Sequence, residues 1–231
     1  MNIVKQLITT IGKWFVSILE RILFAKENEF VATEKFSWIE KIESNYSTIL
    51  EELTTFYTNN NIPFFDDISS SQKQIVEKNK WKSLILLAFR KKNPLYEVAF
   101  TNTNSIIQTI PNVTSVMYSV LERDTHILPH RGIYKGLLRC HLGLIIPENK
   151  DTCYLKVNGK IKNWTAGKCF VFDDTFQHEA FNKTDESRII LIIDFLRPTK
   201  SKWKFYVNKW IIYLLSTSPL VKEITDVYEK K

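Results

Sequence analysis

The sequence predicts a mainly β protein with flanking helices, in which a β-rich centre lies between a helical N-terminal part and a helical tail. From about residue 113 onward, short apolar runs alternate with turn residues, a pattern typical of a sandwich or a barrel. On both sides of this stretch, apolar residues recur at helical spacing instead. We therefore expect a helical part at 1–110, a β core at 111–198 and a helical tail at 199–231, together forming one structural domain.

The strands of the β core are predicted from apolar runs bounded by turn signals. The runs are Val113–Leu121, Leu137–Ile146, Tyr154–Val157, Lys168–Phe172 and Arg188–Phe195. Asn158-Gly159 separates one of these runs from Lys160–Trp164, which is a strong two-residue hairpin signal. Before the core, the continuous apolar run Trp81–Phe89 predicts a further buried strand.

Stripes of apolar residues predict the flanking helices. The predicted helices cover Ile3, Leu7, Ile11, Phe15, Ile18 and Ile22 at the N-terminus, residues 36–58, residues 96–109, and Trp203, Val207, Trp210, Ile211, Leu214 and Leu215 after Pro198. Lys202, Lys204 and Lys209 flank the last stripe. The N-terminal helix either packs on the protein's own core, as most amphipathic helices do, or lies in a membrane interface.

Charge and cysteine content limit the class of partner and the compartment. The 231 residues carry a formal net charge of +7, which suits nucleic acid, an anionic membrane surface or acidic substrates. No nucleic-acid-binding motif is present in the sequence, so we expect no nucleic-acid partner. Charges interrupt the apolar residues of the first 25 positions, so neither a membrane-spanning helix nor a signal peptide is predicted. Three cysteines without a CxxC pair favour the cytoplasm, with any membrane contact at its inner face.

The histidines and one arginine of the β core indicate a metal-dependent oxygenase. The four histidines are His126, His130, His141 and His178, and Arg188 follows the last of them by ten residues. Two histidines on separate strands with a basic residue on the next suit an Fe(II)- and 2-oxoglutarate-dependent oxygenase, because imidazole binds Fe(II) and leaves positions for O2 and the co-substrate. Arginine binds a carboxylate in a planar, bidentate manner. Any single histidine also fits an ordinary structural role, and three of them would suit a zinc hydrolase.

Four segments of the core resemble, in order and spacing, the aspartyl/asparaginyl β-hydroxylase family. They are Pro129-His130-Arg131-Gly132, Leu138–Leu144, Trp164–Gly167 and Phe172–Glu179, and the match continues at Arg188 and Asp194–Pro198. The resemblance covers residues 110–198 well and is fainter from 81 to 110. It implies a double-stranded β-helix, the jelly-roll or cupin-like fold, and a dioxygenase that uses Fe(II), 2-oxoglutarate and O2 to hydroxylate an unactivated C–H bond.

The resemblance also implies roles for individual residues. His130 and His178 would be the iron ligands. Arg188 and Arg139 would bind the carboxylates of 2-oxoglutarate, joined by the hydroxyl group of Ser119. His141 would line the same pocket as a hydrogen-bonding neighbour, with a structural histidine on its strand as the alternative.

Gly132 departs from the usual iron site of two histidines and one carboxylate, in which the acid lies two residues after the first histidine. Within the resembled family, peptide hydroxylases have glycine at this position and lipid A acyl-chain hydroxylases have an acid. Two histidines and water would then hold the iron, with a weaker affinity. A halogenase also lacks this carboxylate, although the surrounding motifs do not resemble that class. Asp173 and Asp174 either orient an imidazole N–H near His178 or lie solvated in a turn.

The expected substrate is a lipid acyl chain, of the lipid A or ornithine lipid type. Both flanking helices and the basic charge suit an anionic membrane. The alternative, favoured by Gly132, is β-hydroxylation of Asp or Asn in a peptide or protein, and a small metabolite is a third candidate. A hypothesis from a different class is that the domain is a non-catalytic jelly-roll binding module. The retention of both predicted metal-site histidines and both arginines argues against it.

Overall fold

Two antiparallel β-sheets pack against each other at the centre of the protein, with helices outside them. The computed structural model describes residues 17–24, 28–68, 74–149 and 151–226. One buried apolar cluster takes side chains from both sheets, among them Ile190 of the larger sheet and Leu155 of the smaller sheet. A second cluster joins the larger sheet to helical side chains such as Ile42, Ile49 and Leu53. Each fully buried Leu or Ile side chain in these clusters stabilises the fold by about 1.5–3 kcal/mol.

The order of the strands defines the fold. Within the described residues, the strands are β1 Phe30–Val31, β2 Trp81–Ala88, β3 Lys91–Lys92, β4 Val113–Leu121, β5 Thr125–His130, β6 Leu137–Ile145, β7 Cys153–Val157, β8 Lys160–Asn163, β9 Cys169–Phe172, β10 His178–Asn182 and β11 Arg188–Leu196. The larger sheet has the order β1-β9-β6-β11-β4-β2-β3, and the smaller has the order β5-β10-β7-β8. From β4 to β11 the chain passes repeatedly between the two sheets, as in a double-stranded β-helix. The predicted mainly β, jelly-roll fold class is therefore confirmed.

Helices cover the outside of the larger sheet and follow the last strand. They are α1 at 17–23, α2 Trp38–Ser44, α3 Tyr46–Asn59, α4 Phe65–Ile68, α5 Thr101–Ile107, α6 Lys202–Ser216 and α7 Pro219–Asp226, with 3-10 turns at Thr33–Lys35 and Pro94–Tyr96. The helix predicted within 36–58 is confirmed as α2 and α3, and the one predicted at 96–109 is shorter, as α5. Of the predicted N-terminal helix, residues 1–16 lie outside the described residues. None of the described helices is long and apolar enough to span a bilayer.

Two strands differ most from the sequence-based expectation. The predicted runs correspond to β2, β4, β6, β7, β8, β9 and β11 within one or two residues, but β5 and β10 were not among them. The sequences of these two strands, THILPH and HEAFN, are short and polar, so they lack a continuous apolar run. Strands β1, β2 and β3 lie within 1–110, the part expected to be helical, in which only β2 was predicted as a strand. They extend the larger sheet beyond the predicted start of the core at 111.

Candidate active site

His130 and His178 face each other across the strand pair β5–β10. They are register partners in this antiparallel pair, and their ring centroids lie 4.1 Å apart. His130 Nδ1 lies 2.8 Å from the carbonyl oxygen of Leu128, and His178 Nδ1 lies 3.0 Å from that of Phe176. Because a carbonyl oxygen only accepts, each Nδ1 carries a proton and each Nε2 of the neutral rings keeps its lone pair. The pair thus presents two imidazole nitrogens that can bind one metal ion.

Burial keeps both imidazole rings neutral. Burial, reinforced by repulsion from His130, lowers the pKa of His178 to about 3. Burial also lowers the pKa of His130, and the hydrogen bond to Leu128 acts in the opposite direction. At neutral pH both rings are therefore in the unprotonated form that ligates a metal.

The two histidines line a cavity of about 180 Å³. The polar part of the lining also includes Arg139, Asp174 and Asp194. The apolar part includes Phe65, Trp81, Ile85, Met117, Ile192 and Ile224, and the ring centroids of Phe65 and Trp81 lie 4.4 Å apart. The cavity thus joins the His130–His178 pair to a largely apolar surface.

Two carboxylates hold Arg139 beside the histidines. Its Nε and Nη2 donate to the two carboxylate oxygens of Asp194 over 2.7 and 2.9 Å, which is a bidentate pair. Nη2 also lies 3.3 Å from Asp174 Oδ2. Although burial acts in the opposite direction, the two carboxylates raise the pKa of Arg139 and keep it charged. The guanidinium is thus already paired within the protein, and its role toward a carboxylate of 2-oxoglutarate stays a prediction.

Asp174 lies directly against Gly132. The Gly132 amide donates to the backbone oxygen of Asp174 over 2.7 Å. A Cβ atom on residue 132 would overlap the Asp174 carboxyl group, so only glycine leaves room for it. Burial raises the pKa of Asp174 to about 6, and the charge of Arg139 acts in the opposite direction. The protein therefore has a carboxyl group next to the position where the usual iron site has one, but it is supplied by a different segment.

Arg188 is buried on β11, where no ion pair joins it to a carboxylate of the described residues. Its guanidinium carbon lies 4.7 Å from the centroid of the Trp164 ring, and its Nη1 lies 3.4 and 3.5 Å from the backbone oxygen and Oγ of Ser119. Its Nε has no hydrogen-bond partner in the described part of the chain. Burial lowers the pKa of Arg188 to about 10. Since a buried, unpaired cation is unfavourable on its own, this position is suited to the carboxylate of a ligand.

The hydroxyl group of Ser119 connects Arg188 to the cavity. Trp81 lines the cavity, and its indole Nε1 donates to Ser119 Oγ over 2.9 Å. Ser119 and Arg188 themselves are not among the cavity's lining residues, and both are almost completely buried. Of the predicted co-substrate residues, Ser119 and Arg188 are therefore buried behind the cavity wall, whereas Arg139 lines the cavity with the two histidines.

His141 supplies an unpaired hydrogen-bond donor close to both arginines. Trp164 Nε1 donates to His141 Nδ1 over 3.2 Å, so the proton of the neutral ring is on Nε2. Nε2 is buried and, within the described residues, has no partner. Burial lowers the pKa of His141, and the charges of Arg139 and Arg188 lower it further. An anionic oxygen would satisfy this donor.

Two aspartates and two tryptophans near the site differ from the sequence-based expectation. The Asp173 carboxylate accepts from Thr175 and, over 2.5 Å, from Arg197, while both imidazole Nδ1 atoms use backbone carbonyls. Both carboxylates are buried and pair with arginines, Asp173 with Arg197 and Asp174 with Arg139, so they neither lie solvated in a turn nor accept from the Nδ1 of His130 or His178. Trp81 and Trp164 contact the predicted site residues although neither was predicted as a site residue, because these contacts depend on the strand register.

The fourth histidine lies outside this group. His126 Nε2 pairs with Glu179 over 2.9 Å, and the ring stacks on Phe181 with centroids 4.0 Å apart. It does not line the cavity. The structure thus places His130 and His178 together, and it leaves His126 in a surface pairing of the smaller sheet.

The donor set of the site fits a metal ion and a dicarboxylate. Two lone-pair nitrogens face each other, and two unpaired buried donors, Arg188 Nε and His141 Nε2, lie nearby. Among the described residues, no group of three His, Cys, Asp or Glu side chains is arranged to hold a metal. A metal on two histidines would take its remaining ligands from water or from the co-substrate.

Comparison with known proteins identifies the relatives of this chain. The family described as aspartyl/asparaginyl beta-hydroxylase matches residues 43–198. An ornithine lipid ester-linked acyl 2-hydroxylase of Rhizobium tropici is 38% identical over 199 residues, covering 86% of this chain and 70% of that protein. The aspartyl/asparaginyl beta-hydroxylase of Homo sapiens is 32% identical over 127 residues, covering 53% of this chain but only 16% of that protein.

Solved structures of cupin domains resemble this chain, but only at low similarity. The Cupin_2 domain of an XRE family transcriptional regulator from Enterobacter cloacae aligns with 52% of this chain and 100% of that chain, at 9% identity and a TM-score of 0.36. The cupin domain of Schizosaccharomyces pombe Cnp3 aligns over 59% of this chain and 73% of its own chain, at 10% identity and a TM-score of 0.37. The fold assignment follows from the strand order, and the family follows from the sequence match over 43–198. The chain belongs to the aspartyl/asparaginyl β-hydroxylase family.

Proposed function

We propose that the protein is an Fe(II)- and 2-oxoglutarate-dependent hydroxylase that acts on the acyl chain of a lipid. The observation that carries this proposal is the cavity that joins the His130–His178 pair to a largely apolar lining. Membership of a hydroxylase family supports the reaction in general terms. The metal, the co-substrate and the acyl substrate are inferred from the chemistry of the site.

His130 and His178 would bind the iron through Nε2. The backbone carbonyls of Leu128 and Phe176 fix the rings through Nδ1, so both nitrogens are oriented before the metal arrives. When bound, iron together with 2-oxoglutarate and O2 supplies the oxidising power for hydroxylation of an unactivated C–H bond. The protein orients the rings and keeps them unprotonated.

Arg188, Ser119 and His141 would bind 2-oxoglutarate. Arg188 brings a buried cation and Ser119 a hydroxyl group 3.5 Å away, which together suit the carboxylate far from the metal. The unpaired His141 Nε2–H would donate to another oxygen of the same ligand. Arg139, held between Asp194 and Asp174, would contribute positive charge near the histidines.

The apolar lining of the cavity supports an acyl chain as the substrate. Trp81, Met117 and Ile192 lie on the same cavity as the histidines and offer an apolar surface that an alkyl chain can contact. The relative from Rhizobium tropici, named as a lipid acyl hydroxylase, covers more of this chain than the human protein does. Contact with alkyl groups would stabilise the bound chain by about 0.8 kcal/mol per buried CH₂.

Turnover in the presence of candidate lipids tests the proposal. The protein is incubated with Fe(II), 2-oxoglutarate, O2 and purified ornithine lipid, and mass spectrometry measures the addition of one oxygen to an acyl chain. We expect succinate and hydroxylated lipid in equal amounts, and neither product with His178→Ala. Arg123→Ala, an exposed arginine outside the cavity, is the matched control and should turn over normally. Hydroxylation that continues without 2-oxoglutarate would contradict the assigned chemistry.

Hydroxylation of a peptide is the second candidate function. The human relative is named as an aspartyl/asparaginyl hydroxylase, and Gly132 is the residue that the family resemblance assigns to peptide hydroxylases. The same assay with Asp- and Asn-containing peptides distinguishes the two substrates. Hydroxylated peptide and unchanged lipid would replace the acyl-chain assignment, and absence of succinate with every substrate would favour a binding module.

A further inference from the structure

Helix α6 has an exposed aromatic stripe along one side. The stripe consists of Trp203, Tyr206, Trp210, Tyr213 and Leu214, whose side chains are between 44% and 65% exposed. These positions follow the helical repeat, so the five side chains share one face of the helix. Single exposed apolar residues are ordinary, but a continuous stripe of this kind marks an interaction surface.

The opposite side of α6 anchors the helix to the protein. Ile211 and Ile212 are buried in a cluster with Tyr134 and Leu137. Asn208 Nδ2 donates to the carbonyl oxygen of Gly136 over 2.9 Å. The aromatic stripe is therefore presented by a helix whose other face is fixed.

Positive charge surrounds the aromatic stripe. Residues 200–222 contain Lys200, Lys202, Lys204, Lys209 and Lys222 but no aspartate or glutamate. Lys202 and Lys209 are exposed and lie seven residues apart, so they follow one edge of the stripe. Trp and Tyr rings favour the headgroup level of a bilayer, and neighbouring lysines are attracted to anionic lipids. A second copy of this chain would bring the same positive charge to the contact, which opposes association.

The anchored side of α6 contacts the residues that form the cavity. Tyr134 and Leu137 pack on α6 and also line the cavity beside the histidines. Ile224 of the following helix, α7, lines it as well, and so does Ile133, which is exposed. The helix with the aromatic stripe is thus only one layer of side chains from the cavity.

We propose that the aromatic stripe of α6 docks the protein on an anionic lipid bilayer. The rings of Trp203, Tyr206, Trp210 and Tyr213 would enter the headgroup region, and Lys202 and Lys209 would lie close to the lipid charges. This inference is independent of the proposed substrate, because vesicle binding is measured without iron, 2-oxoglutarate or turnover.

Co-sedimentation of the full chain with vesicles tests the inference. Vesicles of equal parts phosphatidylglycerol and phosphatidylcholine are compared with vesicles of phosphatidylcholine alone. We expect binding to the anionic vesicles that weakens as salt is added. Trp203→Ser/Trp210→Ser should weaken binding at least about tenfold. Lys202→Ser/Lys209→Ser should weaken it about 30-fold, because each lysine near the surface contributes about 1 kcal/mol, converted at 1.4 kcal/mol per tenfold.

Matched controls replace exposed residues elsewhere on the chain. Val98→Ser/Ile161→Ser removes two exposed apolar side chains, and Lys41→Ser/Lys78→Ser removes two exposed lysines. Both controls should bind vesicles like the wild type. Failure of the wild type to bind anionic vesicles would overturn the inference, and so would equal losses in the stripe variants and their controls. A wild-type dimer that Trp203→Ser/Trp210→Ser converts into a monomer would assign the stripe to a second copy and also overturn it.

Discussion

The carboxyl group of Asp174 occupies the space into which a side chain on residue 132 would project, and that residue is glycine. The backbone joins the same two residues, since the Gly132 amide donates to the Asp174 carbonyl oxygen over 2.7 Å. The usual iron site has its carboxylate two residues after the first histidine, which is position 132 here. In this protein the nearby carboxyl group comes instead from the segment that leads into His178, and it lies 3.3 Å from Arg139.

Substitution of Gly132 should therefore depend on Asp174. Gly132→Ala should lower the free energy of unfolding by about 1–3 kcal/mol, because the new methyl group overlaps a buried carboxyl group. In an Asp174→Ala background the overlap is absent, so adding Gly132→Ala should cost much less. Urea unfolding of the two single variants and the double variant, all without metal, measures the coupling between the residues. Additive effects would show that they do not compete for space.

Replacement of Arg188 should affect co-substrate binding far more than folding. Arg188→Met removes a buried cation that forms no ion pair with the described residues, so the free protein should be equally stable or more stable. The KM for 2-oxoglutarate should rise about 100-fold, because loss of a buried charge-assisted pair costs about 2–3 kcal/mol. Succinate formation against 2-oxoglutarate concentration measures this, with the exposed Arg123→Met as control. An unchanged KM would mean that Arg188 does not bind the co-substrate.

The free energy of unfolding of the metal-free protein should increase with pH because of His178. Its folded-state pKa of about 3 lies below the ordinary value of 6.5, so between these values the unfolded chain binds more protons and stability increases with pH. His178→Gln should flatten this rise. Asp174 acts in the opposite direction, since its folded-state pKa of about 6 lies above the ordinary 3.8 and its contribution is lost as pH increases. Asp174→Asn should therefore steepen the rise.

Urea unfolding midpoints at a series of pH values between about 3 and 6.5 measure how steeply the stability rises with pH. Lys41→Gln, an exposed substitution, serves as the control and should leave the slope unchanged. A wild-type slope that His178→Gln does not reduce would show that His178 is not held neutral by burial.

Substitutions in the turn between β2 and β3 should change stability and turnover independently. Phe89 and Arg90 both adopt left-handed backbone conformations, with φ of 46° and 70°, which favour glycine. Arg90 is exposed, so Arg90→Gly should raise the free energy of unfolding by about 0.5–1 kcal/mol and leave turnover unchanged. Phe89 lines the cavity, so Phe89→Gly should lower acyl-chain hydroxylation despite the same relief of backbone strain. Calorimetry and the lipid assay test both variants, and full activity in Phe89→Gly would remove its ring from the substrate path.

The sequence predicted the strands with continuous apolar runs and missed the two strands that contain His130 and His178. Strand β11 is buried along its whole length and is readable from its composition, whereas β5 and β10, with the sequences THILPH and HEAFN, are short and have neither a continuous apolar run nor a regular alternation. The structure nevertheless places His130 and His178 side by side, as the family resemblance implied, while their role as iron ligands stays a prediction. Motif spacing thus predicted the proximity of these two residues even where hydrophobic periodicity failed to locate their strands.

The residues around the histidines were harder to predict, because their contacts depend on register and packing. Nothing in the sequence shows that Trp164 donates to His141, or that Trp81 donates to Ser119, since each bond joins distant strands. The pairing of Arg139 with Asp194 follows from their opposition in the strand pair β6–β11, which also requires the three-dimensional structure. The overlap of Gly132 and Asp174 is visible only in the folded chain.

Anaerobic titration of the purified protein with Fe(II) and 2-oxoglutarate tests the central claim most directly, through the weak visible charge-transfer band of the iron chelate. We predict that the band develops in the wild type, is absent in His130→Ala and His178→Ala, and is unchanged in His126→Ala, whose histidine does not line the cavity. No band in the wild type under saturating conditions, or a full band in His130→Ala, would contradict the assignment of His130 and His178 as the iron ligands.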